Sequence, residues 1–538
     1  MSLLEFTAPS LDYGLLLPFL IVLGAALVGI LIEAFVPRQA RFASQVVLAL
    51  LALIAAIGAV LWRWSVINLV DPSTDGSGIT GSVIIDGPTK AFWLILFGFG
   101  LIALLLFAER RSHGGATAFT PMAAAVPGSD QEKAAAKAGL IHSEMFPLAM
   151  FSLAGMSLML AANDLLVLFI ALEILSLPLY VMSGMARQRR LASQEAALKY
   201  FLLGAAASAI FLFGVALLFG YAGGFAYDQL AWAVTDGSSG DPLLLAGMGM
   251  VAIGLLFKLG AVPFHSWVPD VYQGAPTPVT AFMSVCTKLA AAGGLLRLLY
   301  VSVGGMRWTW QPIIAGVAIL TIIVGVVIAI NQTDLKRLLA YSSIAHAGFL
   351  LVPVAGGLAL TSGLMAGQVG SVAAVAFYLI GYGLATIGLF AIIMLVRRQG
   401  LEVTDLEAWA GIGRRHPLLG ALMTFFLLSL AGIPLTAGFV GKLAAFQAAW
   451  RGGYWWLVLV AIIGSIVAVF IYIRVIQVIY FKAAPDLREQ PHMVMPGVPV
   501  TIVLVLCALG TLGLGLYPGP VLEWLQAISD FIVPVHTP

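Results

Sequence analysis

Charge is what this chain has least of. Only 10% of its 538 residues are Asp, Glu, Lys or Arg, while 61% are hydrophobic and the mean hydropathy is +1.03. Soluble proteins average ~25% charged residues. That shortage excludes a soluble enzyme, because a chain this long could not hide so much apolar surface. Cysteine is equally scarce. Cys286 and Cys507 lie in apolar runs with no CxxC or Cys/His neighbour, which fits small core residues rather than a metal or cluster site. The net charge of +2 gives no footprint for nucleic acid. No phosphate loop or catalytic dyad can be read. Gly411-Ile-Gly413 lacks the rest of a dinucleotide fingerprint, and Asn331-Gln-Thr333, in a short loop, is a chance glycosylation match. A basic leader is missing too. Met1 to Asp12 carries Glu5 and Asp12 but no Lys or Arg, so the first apolar run is expected to remain as a span.

What is present is a long series of apolar runs. A span needs ~20 apolar residues. Such runs occur at about 13–36, 44–64, 91–108, 145–162, 164–184, 196–221, 243–262, 278–301, 311–330, 336–356, 370–396, 416–450, 455–480 and 498–517. The fold class is therefore an all-α polytopic membrane protein with about fourteen transmembrane helices. With both termini outside, the inside loops carry 17 of the 27 basic residues, which satisfies the positive-inside rule. Two excursions exceed a turn. Residues 65–90, with Asp71 and Asp75, should form an outside loop with a hairpin near Val83 to Asp86. Residues 109–144, with Ala-rich Gln131 to Ala138, should form an inside loop with a short helix.

Two runs read as broken helices. One is Gly-Leu-Leu-Phe-Lys258-Leu-Gly-Ala-Val-Pro263-Phe-His265-Ser-Trp; the other holds Gly432, Pro434 and Lys442. A break frees backbone groups that need water or protein partners, and it brings hydration to a depth where a Lys can exchange a proton. Paired interruptions point to inverted repeats around a midplane site. The expected division is an N-terminal three-helix segment at 1–108, the loop at 109–144, five-helix repeats at 145–301 and 311–480, and a C-terminal helix and tail at 498–538.

Five ionisable side chains fall inside apolar runs: Glu173, Lys199, Lys258, Lys288 and Lys442. Each costs ~2.5–3.5 kcal/mol on insertion scales, so five cost roughly 12–17 kcal/mol, and the default reading is an ion or proton path. Bland readings stand beside this one. Glu173 is either a switch partner for Lys199 or a structural counter-ion. Lys199, a few residues into its helix, either takes part or snorkels to the rim. His265 and His346 are relays or satisfied polar groups. Asp270 caps a loop, and Glu33 faces the interface.

The motifs Ala-Leu-Glu173-Ile-Leu-Ser-Leu-Pro-Leu-Tyr, Glu-Ala-Ala-Leu-Lys199-Tyr-Phe, Phe-Lys258-Leu-Gly-Ala-Val-Pro-Phe-His265-Ser-Trp-Val-Pro-Asp270 and Lys336-Arg337-Leu-Leu-Ala-Tyr-Ser-Ser resemble the antiporter-like membrane subunits of respiratory complex I. The stretch Pro-Asp-Val-Tyr272-Gln-Gly-Ala-Pro-Thr-Pro-Val-Thr resembles their N type. Lys442 where the M type has Glu, and the absence of a long lateral helix, fit the same type. The 109–144 loop departs from the family in length and resembles actinobacterial versions.

The resemblance implies a proton-translocating subunit of a bacterial NADH:quinone oxidoreductase in the plasma membrane, with no cofactor of its own. NADH, FMN, iron–sulfur clusters and quinone would belong to partner subunits. The partners would be a neighbouring antiporter-like subunit, the small membrane subunits and the lipid bilayer. On this reading, movement of Glu173 relative to Lys199 changes the proton affinity of Lys258. Protons then enter near His265, load Lys258, and pass by Lys288 and His346 to Lys442. The rival readings are a subunit of a multi-subunit cation/proton antiporter and a purely structural membrane scaffold.

Overall fold

The computed structural model describes residues 11–70, 78–80, 82–122, 125–126, 129–138, 141–237, 240–357, 369–483 and 490–532. Asp71, Asp75 and Arg488 lie outside them. The chain opens with α1 (Tyr13–Phe35), α2 (Arg38–Val70), the hairpin β1 (Gly78–Thr80) and β2 (Val83–Ile85), α3 (Gly87–Phe107), and the short α4 (Asp130–Lys137). Next come α5 (Met145–Ala161), α6 (Leu165–Ser183), α7 (Arg190–Ala222), α8 (Tyr227–Asp236), α9 (Pro242–Leu259), α10 (Trp267–Gly274) and α11 (Thr277–Arg297). The second half holds α12 (Arg307–Ile330), α13 (Leu335–Gly356), α14 (Ser371–Leu395), β3 (Val396–Arg398), β4 (Leu401–Glu402), α15 (Ile412–Arg415), α16 (Pro417–Ala431), α17 (Ala437–Arg451) and α18 (Trp455–Phe481). It closes with β5 (His492–Met493), α19 (Val498–Leu516) and α20 (Gly519–Ala527).

Among the described residues, twelve helices are long and apolar enough to cross a membrane. The apolar α5 and α16 are shorter, at 17 and 15 residues. Each expected run coincides with a helix, except that 416–450 divides into α16 and α17 at Gly432–Thr436. The 65–90 loop holds the expected hairpin, and the 109–144 loop holds the expected helix, α4.

Aspartate starts the helices. Asp12, Asp86, Asp164, Asp241 and Asp334 cap α1, α3, α6, α9 and α13, each accepting a backbone N–H with its carboxylate. Such a cap satisfies donors that a helix end leaves open, and a membrane offers little water to replace it. Close packing relies on small residues. A Cβ on Gly325 of α12 would stand 2.5 Å from the Ala345 backbone nitrogen of α13, so only Gly permits that approach.

The core sits in α11, α13 and α14, which are almost wholly buried, while α1, α2, α18 and α19 turn large apolar side chains outward. One end of the bundle, the first end, gathers residues 109–122, the α6–α7 turn, the N-terminal ends of α11 and α13, and the β3–β4 hairpin. There Arg187 N donates to Ala118 O at 2.9 Å and Lys336 Nζ to Ala275 O at 2.8 Å. The opposite end is tied by a buried ion pair. Arg297 donates to both carboxylate oxygens of Asp86, at 2.9 and 2.7 Å, and to Thr89 Oγ1 at 2.7 Å. The C-terminal segment closes over it, with the Phe531 ring 4.7 Å from the guanidinium and Ile532 N 3.3 Å from Asp86.

Candidate functional site

The two helix breaks are built alike. Gly260 ends α9 at φ 78° and Gly432 ends α16 at φ 85°, a left-handed backbone that Gly adopts without steric cost. The last carbonyls of α9 and α16 are thereby freed in the middle of the bundle, at the negative ends of the two helices. A lysine meets each of them. Lys288 Nζ, from α11, donates to Leu259 O at 2.7 Å and to Ser343 O at 3.0 Å. Lys442 Nζ, from α17, donates to Ala431 O at 2.9 Å and to Ser465 Oγ at 2.8 Å, with the Phe349 ring 5.0 Å away. The sequence coupled the first break to its own lysine, Lys258. The structure corrects this: Lys258 stands beside the break, but Lys288 fills it.

Lys258 is 2% exposed and lies in an aromatic cage. Its Nζ is 3.4 Å from Tyr200 Oη and lies over the Tyr180 and Tyr200 rings at 5.2 and 4.9 Å. The acidic group whose charge acts on it is Glu173, which accepts from the Ser208 hydroxyl of α7.

The expected Glu173–Lys199 pair is not formed. Lys199 is 44% exposed and pairs with Asp270 at 2.8 Å and Glu195 at 2.7 Å, and Asp270 also accepts from Arg337 at 2.6 Å. The reason is depth. Ser208, level with Glu173, is nine residues beyond Lys199 on α7, or ~13.5 Å along the axis at 1.5 Å per residue. The 33-residue α7 is also longer than a bilayer core of ~30 Å requires, so its tenth residue lies at the rim. Asp270 thus pairs with cations rather than capping a loop.

His346 is 4% exposed and bonded at both ring nitrogens. Nδ1 is 2.6 Å from Tyr378 Oη and Nε2 is 3.1 Å from Tyr472 Oη, which in turn is 2.6 Å from Ser342 Oγ. The Tyr382 ring lies tilted against the imidazole, with centroids 5.0 Å apart, and its hydroxyl donates to Ser343 Oγ at 2.8 Å. Ser343 is also the residue whose carbonyl receives Lys288. On the other side, His346, Tyr378, Tyr382 and Lys442 line a cavity of about 10 Å³. That is roughly the space of one water. Lys288, Ser343, Tyr382, His346 and Lys442 are therefore close neighbours in one polar seam. Among the described residues, no side-chain hydrogen bond joins Lys258 to Lys288. His265, in the first break, is half-buried, and its Nδ1 has no hydrogen-bond partner.

A lysine that cycles between ammonium and amine, an imidazole and a hydroxyl can each pass a proton on, so the seam can carry one. No group of three or more His, Cys, Asp or Glu side chains that could hold a metal occurs among the described residues. Sequence reasoning missed the hydroxyls of Tyr180, Tyr200, Tyr378, Tyr382 and Tyr472, and Ser208 and Ser343. Part of the signal was available: Tyr378 and Tyr382 are four apart, and Ser342 and Ser343 precede His346 by four and three, so each set shares a helix face. Lys336, quoted above only within a motif, is likewise buried, at 3% exposed.

Comparison with known proteins adds the following. Residues 162–468 match the family described as NADH:quinone oxidoreductase/Mrp antiporter, transmembrane. The chain is similar to NADH-quinone oxidoreductase subunit N of Cutibacterium acnes, at 48% identity over 99% of this chain and 97% of that one. It is 50% identical to the subunit N of a Nocardioides species, over 98% of this chain and 100% of that one. A chain of respiratory complex I from Thermus thermophilus superposes with a TM-score of 0.73 at 30% identity, covering 96% of this chain and all of that one.

Proposed function

The chain belongs to the NADH:quinone oxidoreductase/Mrp antiporter membrane family, and from that premise we propose that it is a proton-translocating membrane subunit of an NADH-quinone oxidoreductase. Electron transfer takes place on partner subunits, which carry NADH, FMN, iron–sulfur clusters and quinone. This chain moves protons in response. The carrying observation is the buried seam from Lys288 through Ser343, Tyr382 and His346 to Lys442, with both lysines anchored on carbonyls freed by helix breaks. A structural scaffold has no need of three buried lysines without a buried acid in contact with them.

Glu173, held by Ser208, controls Lys258, and the caged Lys258 is loaded from the side of His265. The proton then passes to Lys288, His346 and Lys442. The repeats at 145–301 and 311–480 are inverted copies, which gives each half one break. Lys199, tied to Asp270 and Glu195 at the rim, acts by biasing α7 and thereby the position of Ser208 against Glu173. The first end faces the cytoplasm of the bacterial plasma membrane and both termini lie outside. The neighbours are a second antiporter-like subunit and the small membrane subunits.

Moving one charge against ~100 mV needs ~2.3 kcal/mol. Two pKa units supply about that much. The test is Lys258→Met in the assembled complex, reconstituted in proteoliposomes. A lower number of protons pumped per NADH at normal assembly is expected; an unchanged ratio would overturn the reading. The antiporter reading is distinguished by purification, since it predicts no iron–sulfur subunits bound to the chain.

A further inference from the structure

At the first end of the bundle lies a polar cavity of about 40 Å³ that the path above does not use. Thr277 at the start of α11 and Lys336 at the start of α13 form its inner wall, and Glu402 of β4 and His113 of the 109–144 segment close it. Its volume suits a few waters. The carboxylate of Glu402 is 17% exposed. Its Oε2 accepts from Thr277 Oγ1 at 2.6 Å, while its Oε1 faces Arg397 Nη2 at 3.5 Å and His113 Nε2 at 3.8 Å. Lys336 Nζ is 3.4 Å from the same Thr277 hydroxyl. Thr277 therefore bridges the ammonium and the carboxylate.

The lid is fixed rather than loosely draped. Thr120 N donates to Met185 O at 2.8 Å, Arg187 N to Ala118 O at 2.9 Å, and Phe119 packs on Phe107 at 5.2 Å. His113 is held at Nδ1 by Ser112 Oγ at 2.9 Å.

Helical register joins this cavity to the seam. Lys336 and Ser343 are seven apart on α13, two turns on one face, or ~10 Å. Ser343 accepts from Lys288, and Tyr272 Oη lies 3.3 Å from Ser343 Oγ. The Tyr272 carbonyl accepts from Thr280 Oγ1, one turn beyond Thr277 on α11, at 3.2 Å. Hydroxyls thus line the interval between the cavity and Lys288.

We propose that this cavity is a hydrated proton-uptake vestibule in which Glu402 is the first acceptor, supplying Lys288 along the α11–α13 seam. A hydronium in the cavity gives its proton to the Glu402 carboxylate and leaves as water. The carboxyl then releases that proton inward, neutral Lys288 becomes an ammonium, and Glu402 returns to a carboxylate. Lys336 on α13 and Arg397 on β3 keep the carboxylate ionised between transfers, while Arg187 and Arg189 of the α6–α7 turn and His113 of the lid face the same cavity. Asp334 and Glu109 stand behind Lys336 and Arg397 respectively. Residues 109–122 form a wall of the vestibule.

The inference rests on the proton-translocating reading, and its experiment separates the two. The whole complex is reconstituted in proteoliposomes with Lys442→Met, Glu402→Gln, Glu402→Asp or Thr277→Val. Lys442→Met, beyond both points of entry, sets the share of protons per NADH that this chain contributes. Glu402→Gln is expected to remove at least half of that share and to flatten the pH dependence of pumping, with NADH oxidation in uncoupled vesicles unchanged. Glu402→Asp restores most of it, as a merely structural lesion would not. Should Glu402→Gln fail to assemble, Thr277→Val decides, because it removes the bridging hydroxyl at nearly constant shape. Full pumping by Glu402→Gln, or by Thr277→Val where the first is lost, overturns the vestibule but leaves the proton reading standing if Lys442→Met loses its share. No loss with Lys442→Met overturns both.

Discussion

Lys288 admits two roles that a single substitution separates. Its ammonium donates to Leu259 O and Ser343 O at 2.7 and 3.0 Å, so it is either a plug that satisfies the first break or a carrier that also gives up its proton. Lys288→Arg keeps the positive charge and offers a fork of donors to the same two carbonyls, which preserves the plug. It fails as a carrier. A guanidinium ordinarily holds its proton at least ~2 pKa units more tightly than an ammonium, so each release costs ~3 kcal/mol more. That is a ~100-fold slower deprotonation. The larger head overfills a site only 4% exposed, at ~1–3 kcal/mol of stability. This second cost lowers the yield of assembled complex, not the ratio per assembled complex, so the two effects are read separately. Protons taken up per NADH oxidised are measured in proteoliposomes with a pH dye and normalised to assembled complex, beside Lys288→Met. Both variants should lose the contribution of this chain, and the Arg variant should assemble better than the Met variant. Wild-type pumping by Lys288→Arg would refute the carrier role and leave the plug.

Asp86→Ala leaves Arg297 buried without its acid and should cost ~3–5 kcal/mol, seen as a large drop in the melting temperature of the detergent-solubilised chain; Asp86→Leu with Arg297→Met should recover most of it. Gly325→Leu should force α12 from α13 and lower the melting temperature, whereas Gly316→Ala, with nothing within 4 Å of the new Cβ, should not. At Glu402, burial pushes the carboxyl up, but Lys336, Arg397, His113 and the Thr277 hydroxyl outweigh it and hold the group below its usual 4.5. Because the folded value is depressed, its contribution is complete above about pH 4.5 and is lost as pH falls through the folded value. Cleavage within 109–144 by an acid protease should therefore rise only below that pH; cleavage already rising from pH 8 to 6 with a neutral protease would count against the anchoring.

The elements were legible because lipid imposes a simple grammar: long apolar runs, Asp at helix starts, and Gly with Pro at breaks. Glu173, Lys258, Lys288, His346 and Lys442 were legible for the same reason, since each is a costly exception within such a run. What could not be read was who meets whom. Lys258 and Lys288 are equally far from recognisable partners along the chain, and only the αL turn at Gly260 decides which one faces the freed carbonyl. Lys199 was placed too deep because run lengths report hydrophobicity, not where a 33-residue helix leaves the bilayer. Tyr378 and Tyr472 passed as ordinary apolar residues, because a phenol declares itself polar only when its hydroxyl meets a partner such as His346.

The near-complete enclosure of α11 and α13 also bears on how the chain is made. These are the least apolar of the twelve long helices, and α12, which separates them in the chain, is the most apolar. A segment carrying Lys288 and Arg297, or Lys336, Arg337 and His346, partitions poorly from the translocon by itself. α12 enters readily and holds both neighbours at the membrane until α14 and α17 arrive to surround them. The helices that form the seam are thus inserted as a group, and a chain truncated after α13 should leave them exposed to quality-control proteolysis.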